Sequence, residues 1–259
     1  MKNNKSLGQH WLKNRQILDC IADLAYGYSD SLSHQKSQLE ASLCLEIGPG
    51  LGTLTSSLLR RFKEVIAVEF DERLATNLPK SFPGKNLTVV HQDFLKFDLA
   101  TIPSPYVVAG NIPYYITSPI ISKLLQTTNR PERIVLLIQK EVAERIAAEP
   151  GHHTVLSLQT QNYATVMLGP VVPHAEFTPP PEVDSQIIIL EPRPEPLISP
   201  DIFRLIKQGF SSPRKKLMKN LPASTAELTE IFARIGLDSS VRPANLSLND
   251  WKSLAKNLH

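Results

Sequence analysis

Short, unbroken apolar runs punctuate this chain at 43–47, 65–69, 87–90, 106–109, 134–138, 163–168 and 186–190. Most do not alternate apolar with polar, the pattern of strands buried on both faces. Between them, apolar positions recur at helical spacing over about 53–61, 71–78, 118–126, 140–148 and 154–161. Strands alternating with helices predict a doubly wound α/β sheet, mostly parallel. No full helix separates the last two runs, so 186–190 is expected as an antiparallel edge strand. A helix is expected over 16–26, after a polar and basic segment 1–16. Residues 27–41, rich in Ser, Gln and Lys, read as a loop or a weak helix.

Beyond the sheet the pattern changes. Pro192, Pro194, Pro196 and Pro200 make a stiff linker. The remainder of the chain has helical patterning. Ser199-Pro200 reads as N-cap and first helical residue, and Ser224/Glu227 and Ser247/Asp250 have capping-box spacing. Leu246 and Trp251 stand where a hydrophobic staple would close the last helix. Two domains are therefore expected, 1–193 and 194–259, the second a small all-helical one.

Composition narrows the class. The chain has 259 residues, 42% of them hydrophobic, enough for a sizeable core. A net charge of +3 permits a polyanionic partner without demanding one. The cysteines are Cys20 and Cys44, with no zinc spacing and no disulfide framework, and no metal is implied. The longest apolar run, Ile134 to Ile138, is far short of a membrane span, and no apolar leader follows the first residues. The expectation is a cytoplasmic protein with no membrane partner.

The most informative stretch is Leu45-Glu46-Ile47-Gly48-Pro49-Gly50-Leu51-Gly52. A strand runs into three alternating glycines and then a helix. Glycine serves where φ is positive or where a ligand presses on backbone. The spacing is G-x-G-x-G, not the G-x-G-x-x-G of dinucleotide sites. The second strand ends in Glu69, where a carboxylate can take both hydroxyls of a ribose. Glycines and acid together resemble the cofactor motif of S-adenosylmethionine-dependent methyltransferases; a glycine turn without a ligand is the plainer alternative. After the third strand, Asp93 could accept from an exocyclic amine and Phe94 could lie on an adenine, although Asp93 could equally cap a turn.

The fourth strand runs into Asn111-Ile112-Pro113-Tyr114. An amino nitrogen on adenine is a poor nucleophile, since its lone pair is delocalised into the ring. An Asn side-chain oxygen and a nearby backbone carbonyl can accept both of its hydrogens, and a tyrosine can stack on the base. This segment resembles the catalytic motif of amino-methyltransferases acting on nucleic-acid bases. An Asn-Pro turn with a core tyrosine is the alternative.

Six motifs then occur in one order: 8–12 (GQHWL), 46–52 (EIGPGLG) with Val68-Glu69, Asp93, 111–114 (NIPY), 139–143 (QKEVA) and 177–185 (FTPPPEVDS). Together with Arg242-Pro243-Ala244-Asn245-Leu246-Ser247 they resemble the bacterial small-subunit rRNA (adenine-N6,N6)-dimethyltransferase family. The resemblance implies a Rossmann-like class I methyltransferase sheet with a small C-terminal all-helical domain, and S-adenosyl-L-methionine as cofactor. It implies N6,N6-dimethylation of two adjacent adenosines in the 3'-terminal hairpin loop of 16S rRNA. The implied partner is small-subunit rRNA in a partly assembled 30S particle, and the implied state is a monomer.

The resemblance also assigns roles. Gln9, His10, Trp11 and Leu12 would close over the cofactor. Glu46, Gly48 and Gly50 would line its methionine end, Glu69 its ribose, and Asp93 with Phe94 its adenine. Asn111 and the Ile112 carbonyl would orient the target amine; Tyr114 and Phe177 would sandwich the target base. The family usually has Phe at Trp11 and a polar residue, often Asn, at Tyr115. Tyr115 is expected to bear on the pocket floor.

Three basic clusters could meet RNA phosphates: Arg214, Lys215, Lys216 and Lys219; Arg60, Arg61 and Lys63; and Lys2, Lys5, Lys13 and Arg15. A solvated helix face is the alternative for each. Three other functions compete with the small-subunit reading: a large-subunit adenine methyltransferase of the macrolide-resistance type, a non-catalytic rRNA-binding assembly factor, and a nicotinamide-dependent dehydrogenase. The G-x-G-x-G spacing disfavours the last, and intact Asn111, Tyr114 and Phe177 disfavour the second.

Overall fold

The computed structural model describes residues 10–27 and 39–258. Gln9, Lys2 and Lys5 lie outside the described residues. The chain forms two compact units, one of 1–143 with 165–192 and one of 144–164 with 193–259.

The first unit is built on a seven-stranded sheet. Its strands are β2 (Leu43–Ile47), β3 (Glu64–Glu69), β4 (Leu87–His91), β5 (Tyr106–Asn111), β6 (Arg133–Gln139), β7 (Ala164–Val172) and β9 (Ser185–Pro192). They run in the order β4-β3-β2-β5-β6-β9-β7. β4 to β6 along this order are parallel, and β9 runs antiparallel to β6. A separate two-residue ladder joins β1 (Trp11–Leu12) to β8 (Phe177–Thr178). Helices α1 (Arg15–Tyr26), α2 (Thr53–Leu58), α3 (Glu72–Asn77) and α4 (Thr117–Gln126) complete it, and α5 (Lys140–Ile146) starts in it.

The antiparallel sense of 186–190 is as read from the sequence, but its edge position is not. β9 is buried from Ser185 through Leu190 and sits between β6 and β7. β7 is the edge strand: only its two end residues are buried, and Pro170, which cannot donate to a ladder, lies within it.

Local signals set the helix ends. Asn14 caps α1, its Oδ1 accepting from the Gln16 N–H at 3.0 Å, and Gly27 closes it at φ +94°. The core of this unit is aliphatic, with Val107, Ala109, Val135 and Leu137 fully buried between helices.

The second unit takes in α6 (Val155–Tyr163), α7 (Pro200–Gly209), α8 (Thr225–Ile235) and α9 (Leu248–Asn257). A single cut at 193/194 therefore does not describe the division. Residues 144–164 join the helical unit through Leu158, buried in its core, and through backbone anchors. Asn162 Oδ1 accepts from the Ile198 N–H at 2.8 Å, and the Arg193 N–H donates to the Tyr163 carbonyl at 2.7 Å. Trp251, Phe232, Leu246 and Leu254 fill this core. A Cβ on Gly209 would lie 2.3 Å from the Trp251 ring, so glycine is what admits the indole. Ser247 and Asp250 form a reciprocal capping box; Ser224 makes only its own half, accepting from the Glu227 N–H.

Candidate active site

Strand order reverses between β2 and β5: the chain moves outward through β3 and β4, then returns to lie on the other side of β2. Ligands in such sheets bind beyond the carboxyl ends of the strands at this point. Register places Ile47 opposite both Val68 and Gly110, so Gly48, Glu69 and Asn111 follow side by side. A cavity of about 390 Å³ opens there. It is lined by His10, Trp11, Leu12, Glu46, Gly48, Gly50, Glu69, Asp93, Phe94, Asn111, Ile112, Tyr114 and Phe177, gathering the sequence-read site residues that lie among those described.

The glycine turn is a cradle. Gly48, Gly50 and Gly52 have φ of +62°, +59° and +81°. The Gly48 N–H donates to the Val68 carbonyl at 2.9 Å, and the Gly52 N–H to the Pro49 carbonyl at 2.9 Å. Nothing lies within 4 Å of where a Gly48 Cβ would be, whereas a Gly52 Cβ would press Leu78 and Phe82. The first glycine thus leaves room for a ligand, and the third packs the turn onto the fold.

Two buried acids flank the cradle. Glu46 accepts from the Thr55 hydroxyl at 2.6 Å. Burial pushes its carboxyl up to about 8, the nearby Glu69 charge adds to this, and the Thr55 bond opposes it. Glu69 accepts from the Gly50 N–H at 2.9 Å with one oxygen and from the Asp71 N–H at 2.8 Å with the other. Burial raises its carboxyl too, against those bonds. The Phe70 N–H also bonds this carboxyl, and three donors leave a carboxylate with acceptor capacity to spare.

At the β4 end, Asp93 Oδ1 accepts from the Leu95 N–H at 2.9 Å, so one of its oxygens caps a turn. Phe94 is buried, stacked with Phe97 at 6.4 Å and covered by the Lys123 ammonium. Phe70, which the sequence reading passed over, also lines the cavity and is exposed. Its signal was its place directly after Glu69, on the same strand tip. Thr55 was missed as well: a hydroxyl one turn into α2, within reach of Glu46.

At the β5 end the Ile112 N–H donates to the Leu137 carbonyl at 3.1 Å, fixing the turn. Asn111 Nδ2 donates to the His10 carbonyl at 3.1 Å. The His10 ring lies 6.2 Å from that of Tyr114, nearly parallel, and its Nδ1 is 2.8 Å from the Pro179 carbonyl. The Tyr114 hydroxyl is 3.1 Å from Ser185 Oγ. Phe177 is buried opposite Leu12 in the β1–β8 ladder and forms part of the cavity wall. Tyr115 is not part of the floor: it is 66% exposed at the rim.

Of the basic clusters, Arg214, Lys215, Lys216 and Lys219 are exposed on the helical unit. Arg60 and Arg61 are instead bound to Asp19 and Asp23 of α1, the Arg61–Asp23 pair being bidentate at 2.6 and 2.8 Å. Among the described residues no group of three or more His, Cys, Asp and Glu could hold a metal, and no helix is long and apolar enough to cross a membrane.

Known proteins match along the whole length. The chain is 39% identical to the ribosomal RNA small subunit methyltransferase A of Acaryochloris marina, covering 98% of this chain and 97% of that one. The protein of the same name from Bacillus mycoides is 36% identical, over 98% and 90%. Among solved structures, a dimethyladenosine transferase from Plasmodium falciparum superposes with a TM-score of 0.77 at 27% identity, over 96% of this chain and 98% of that one. The 23S rRNA methyltransferase ErmE gives 0.76 at 26%, over 96% and 99%. The model of the ribosomal RNA adenine dimethylase family matches residues 1–259. The α/β sheet with Asn111 and the glycine cradle at its switch point is thus that of a methyltransferase, and the chain belongs to the ribosomal RNA adenine dimethylase family.

Proposed function

We propose that this chain is the S-adenosylmethionine-dependent N6,N6-dimethyltransferase of 16S rRNA, acting in the cytoplasm as a monomer on two adjacent adenosines of the 3'-terminal hairpin loop in a partly assembled small subunit. One observation carries the reading. Asn111, its amide nitrogen already held by the His10 carbonyl, shares a cavity with the Glu46–Gly48–Glu69 cradle.

The residues fit the cofactor. The space above Gly48 admits a ligand against backbone, and Glu69 has acceptor capacity for ribose hydroxyls. Glu46, Gly48 and Gly50 would hold the methionine end, and Asp93 with Phe70 or Phe94 the adenine. His10, Trp11 and Leu12 form the near wall, with Gln9 just before them in sequence. The bound cofactor supplies an electrophilic methyl group on a sulfonium, already activated for in-line displacement.

The chain's own work is positioning. Tyr114 and Phe177 would hold the target base. Asn111 Oδ1 and the Ile112 carbonyl would accept its two amino hydrogens, taking the nitrogen lone pair out of conjugation with the ring and leaving it free to attack the methyl, after which the methylated nitrogen sheds its surplus proton. Unpaired loop bases can be splayed into such a pocket, whereas duplex bases cannot. Arg214, Lys215, Lys216 and Lys219 would meet phosphates.

The test is methyl transfer from labelled S-adenosylmethionine to unmethylated small subunits, with large subunits and free rRNA in parallel, followed by nucleoside analysis. N6,N6-dimethyladenosine in small-subunit RNA alone is the expected result. Label in large subunits would instead favour the resistance-type activity, to which the likeness to the 23S enzyme lends some weight.

A further inference from the structure

The cavity mouth carries exposed apolar side chains. Among the described residues two aromatic side chains are exposed, Phe70 at 59% and Tyr115 at 66%, and both line this one cavity. Leu95, also exposed, joins them. The three arrive from three strand ends, after β3, β4 and β5. Apolar groups gathered on one rim mark a contact surface.

Tyr115 is fixed in place by the backbone that fixes Asn111. It is the middle residue of a 3₁₀ turn, Tyr114–Ile116, closed by the Ile116 N–H donating to the Pro113 carbonyl at 3.2 Å. Successive side chains in a 3₁₀ turn diverge by about 120°. Tyr114 and Tyr115 therefore cannot serve the same base. Tyr114 is half-buried, its hydroxyl against Ser185 Oγ, while Tyr115 stands on the rim beside it.

We propose that Tyr115 is the stacking platform for the unpaired nucleotide next to the target adenosine. This rests on the reading of the cavity as an rRNA methyl-transfer site. A base drawn into the pocket leaves its neighbour on the strand unstacked at the mouth, and an exposed ring there restores the lost stacking. The contact needs a flat π-face and no hydrogen-bonding pattern, so it suits a purine of any identity. Tyr115 thereby holds the RNA in register rather than the reacting atoms.

The experiment compares wild type with Tyr115→Ala and Tyr115→Phe on unmethylated small subunits, measuring kcat, KM, cofactor Kd and Tm. Loss of one stacked base should lower kcat/KM in Tyr115→Ala by about five- to a hundredfold, mainly through KM. Tyr115→Phe should restore most of it, and cofactor Kd and Tm should hold in both. Unchanged kcat/KM in Tyr115→Ala overturns the proposal. So does a loss matched by weaker cofactor binding or a lower Tm, which would make the ring structural, or a loss equally large in Tyr115→Phe, which would assign it to the hydroxyl. Wild type inactive on small subunits would instead bring down the functional reading, and this proposal with it.

Discussion

Asn111 and His10 are 101 positions apart, yet the Asn111 side-chain amide donates to the His10 carbonyl at 3.1 Å. The bond settles which way the amide faces. With Nδ2 committed, Oδ1 is the atom left for an incoming N–H. The segment before α1 therefore does more than line the cavity: it sets the orientation of the amide that the proposed mechanism aims at the target amine.

Asn111→Ala removes that acceptor, and Asn111→Asp sets a carboxylate oxygen against the His10 carbonyl. Either should lower single-turnover methyl transfer at saturating cofactor by about 10²–10³-fold, the usual cost of removing one preorganised polar group from a reaction centre. Nearly full turnover by Asn111→Ala would remove the residue from the mechanism.

Two of the turn glycines, Gly48 and Gly52, should fail in different ways. A Cβ at Gly52 would lie 2.6 Å from Leu78 Cδ1 and 2.8 Å from Phe82, at φ +81°. Gly52→Ala should therefore destabilise the fold by about 2–3 kcal/mol, strain and overpacking together. Gly48→Ala meets no neighbour and carries only the strain of φ +62°, about 1 kcal/mol. Its methyl would fill ligand space, so its main effect should be on cofactor affinity. Thermal melts and cofactor titrations of the two variants, run side by side, check the split; equal effects on both readouts would refute it.

Much of this was legible because it is local. The strand runs, the glycine turn, Glu69 and the Asn111 segment each carry their signal within a few residues, and a parallel sheet brings strand ends together whatever the details. What stayed hidden depends on partners distant in sequence. Arg60 and Arg61 looked like an RNA-binding cluster until α1 supplied Asp19 and Asp23. Phe94 lines the cavity as expected, but the Lys123 ammonium over its ring comes from a distant helix. The edge strand was the exception: Pro170 marked β7 as the edge in the sequence itself.

Glu46 should make stability fall as pH rises. Its carboxyl titrates near 4.5 when exposed and at about 8 when folded. Between those values the unfolded chain has lost the proton that the folded chain keeps, so folding stability declines with pH across that window. Glu69, also raised by burial, acts in the same direction. The Glu46 contribution is on the order of a few kcal/mol at most. Glu46→Gln keeps an acceptor for Thr55 and removes the titration. Its Tm advantage over wild type should grow from pH 5 to pH 8 in the absence of cofactor. A constant Tm difference across that range would show that Glu46 does not hold a proton in the folded state.

The basic clusters should separate by what they hold. Arg60 and Arg61 are engaged with Asp19 and Asp23, and Arg60 also donates to the Ser56 carbonyl at 3.0 Å. Partly exposed pairs of this kind contribute roughly 0.2–1 kcal/mol each. Arg60→Ala with Arg61→Ala should thus lower Tm by a few degrees and leave the affinity for small subunits nearly unchanged. Lys215, Lys216 and Lys219 are exposed, and replacing all three with Ala should do the reverse. Each phosphate contact with single-stranded RNA contributes about 0.7 to the slope of log affinity against log salt, so the triple variant should flatten that slope by about 2. Binding measured at several salt concentrations decides the matter. An unchanged slope in the lysine variant, with a flattened one in the arginine variant, would move the RNA-binding face from the helical unit to the surface shared by α1 and α2.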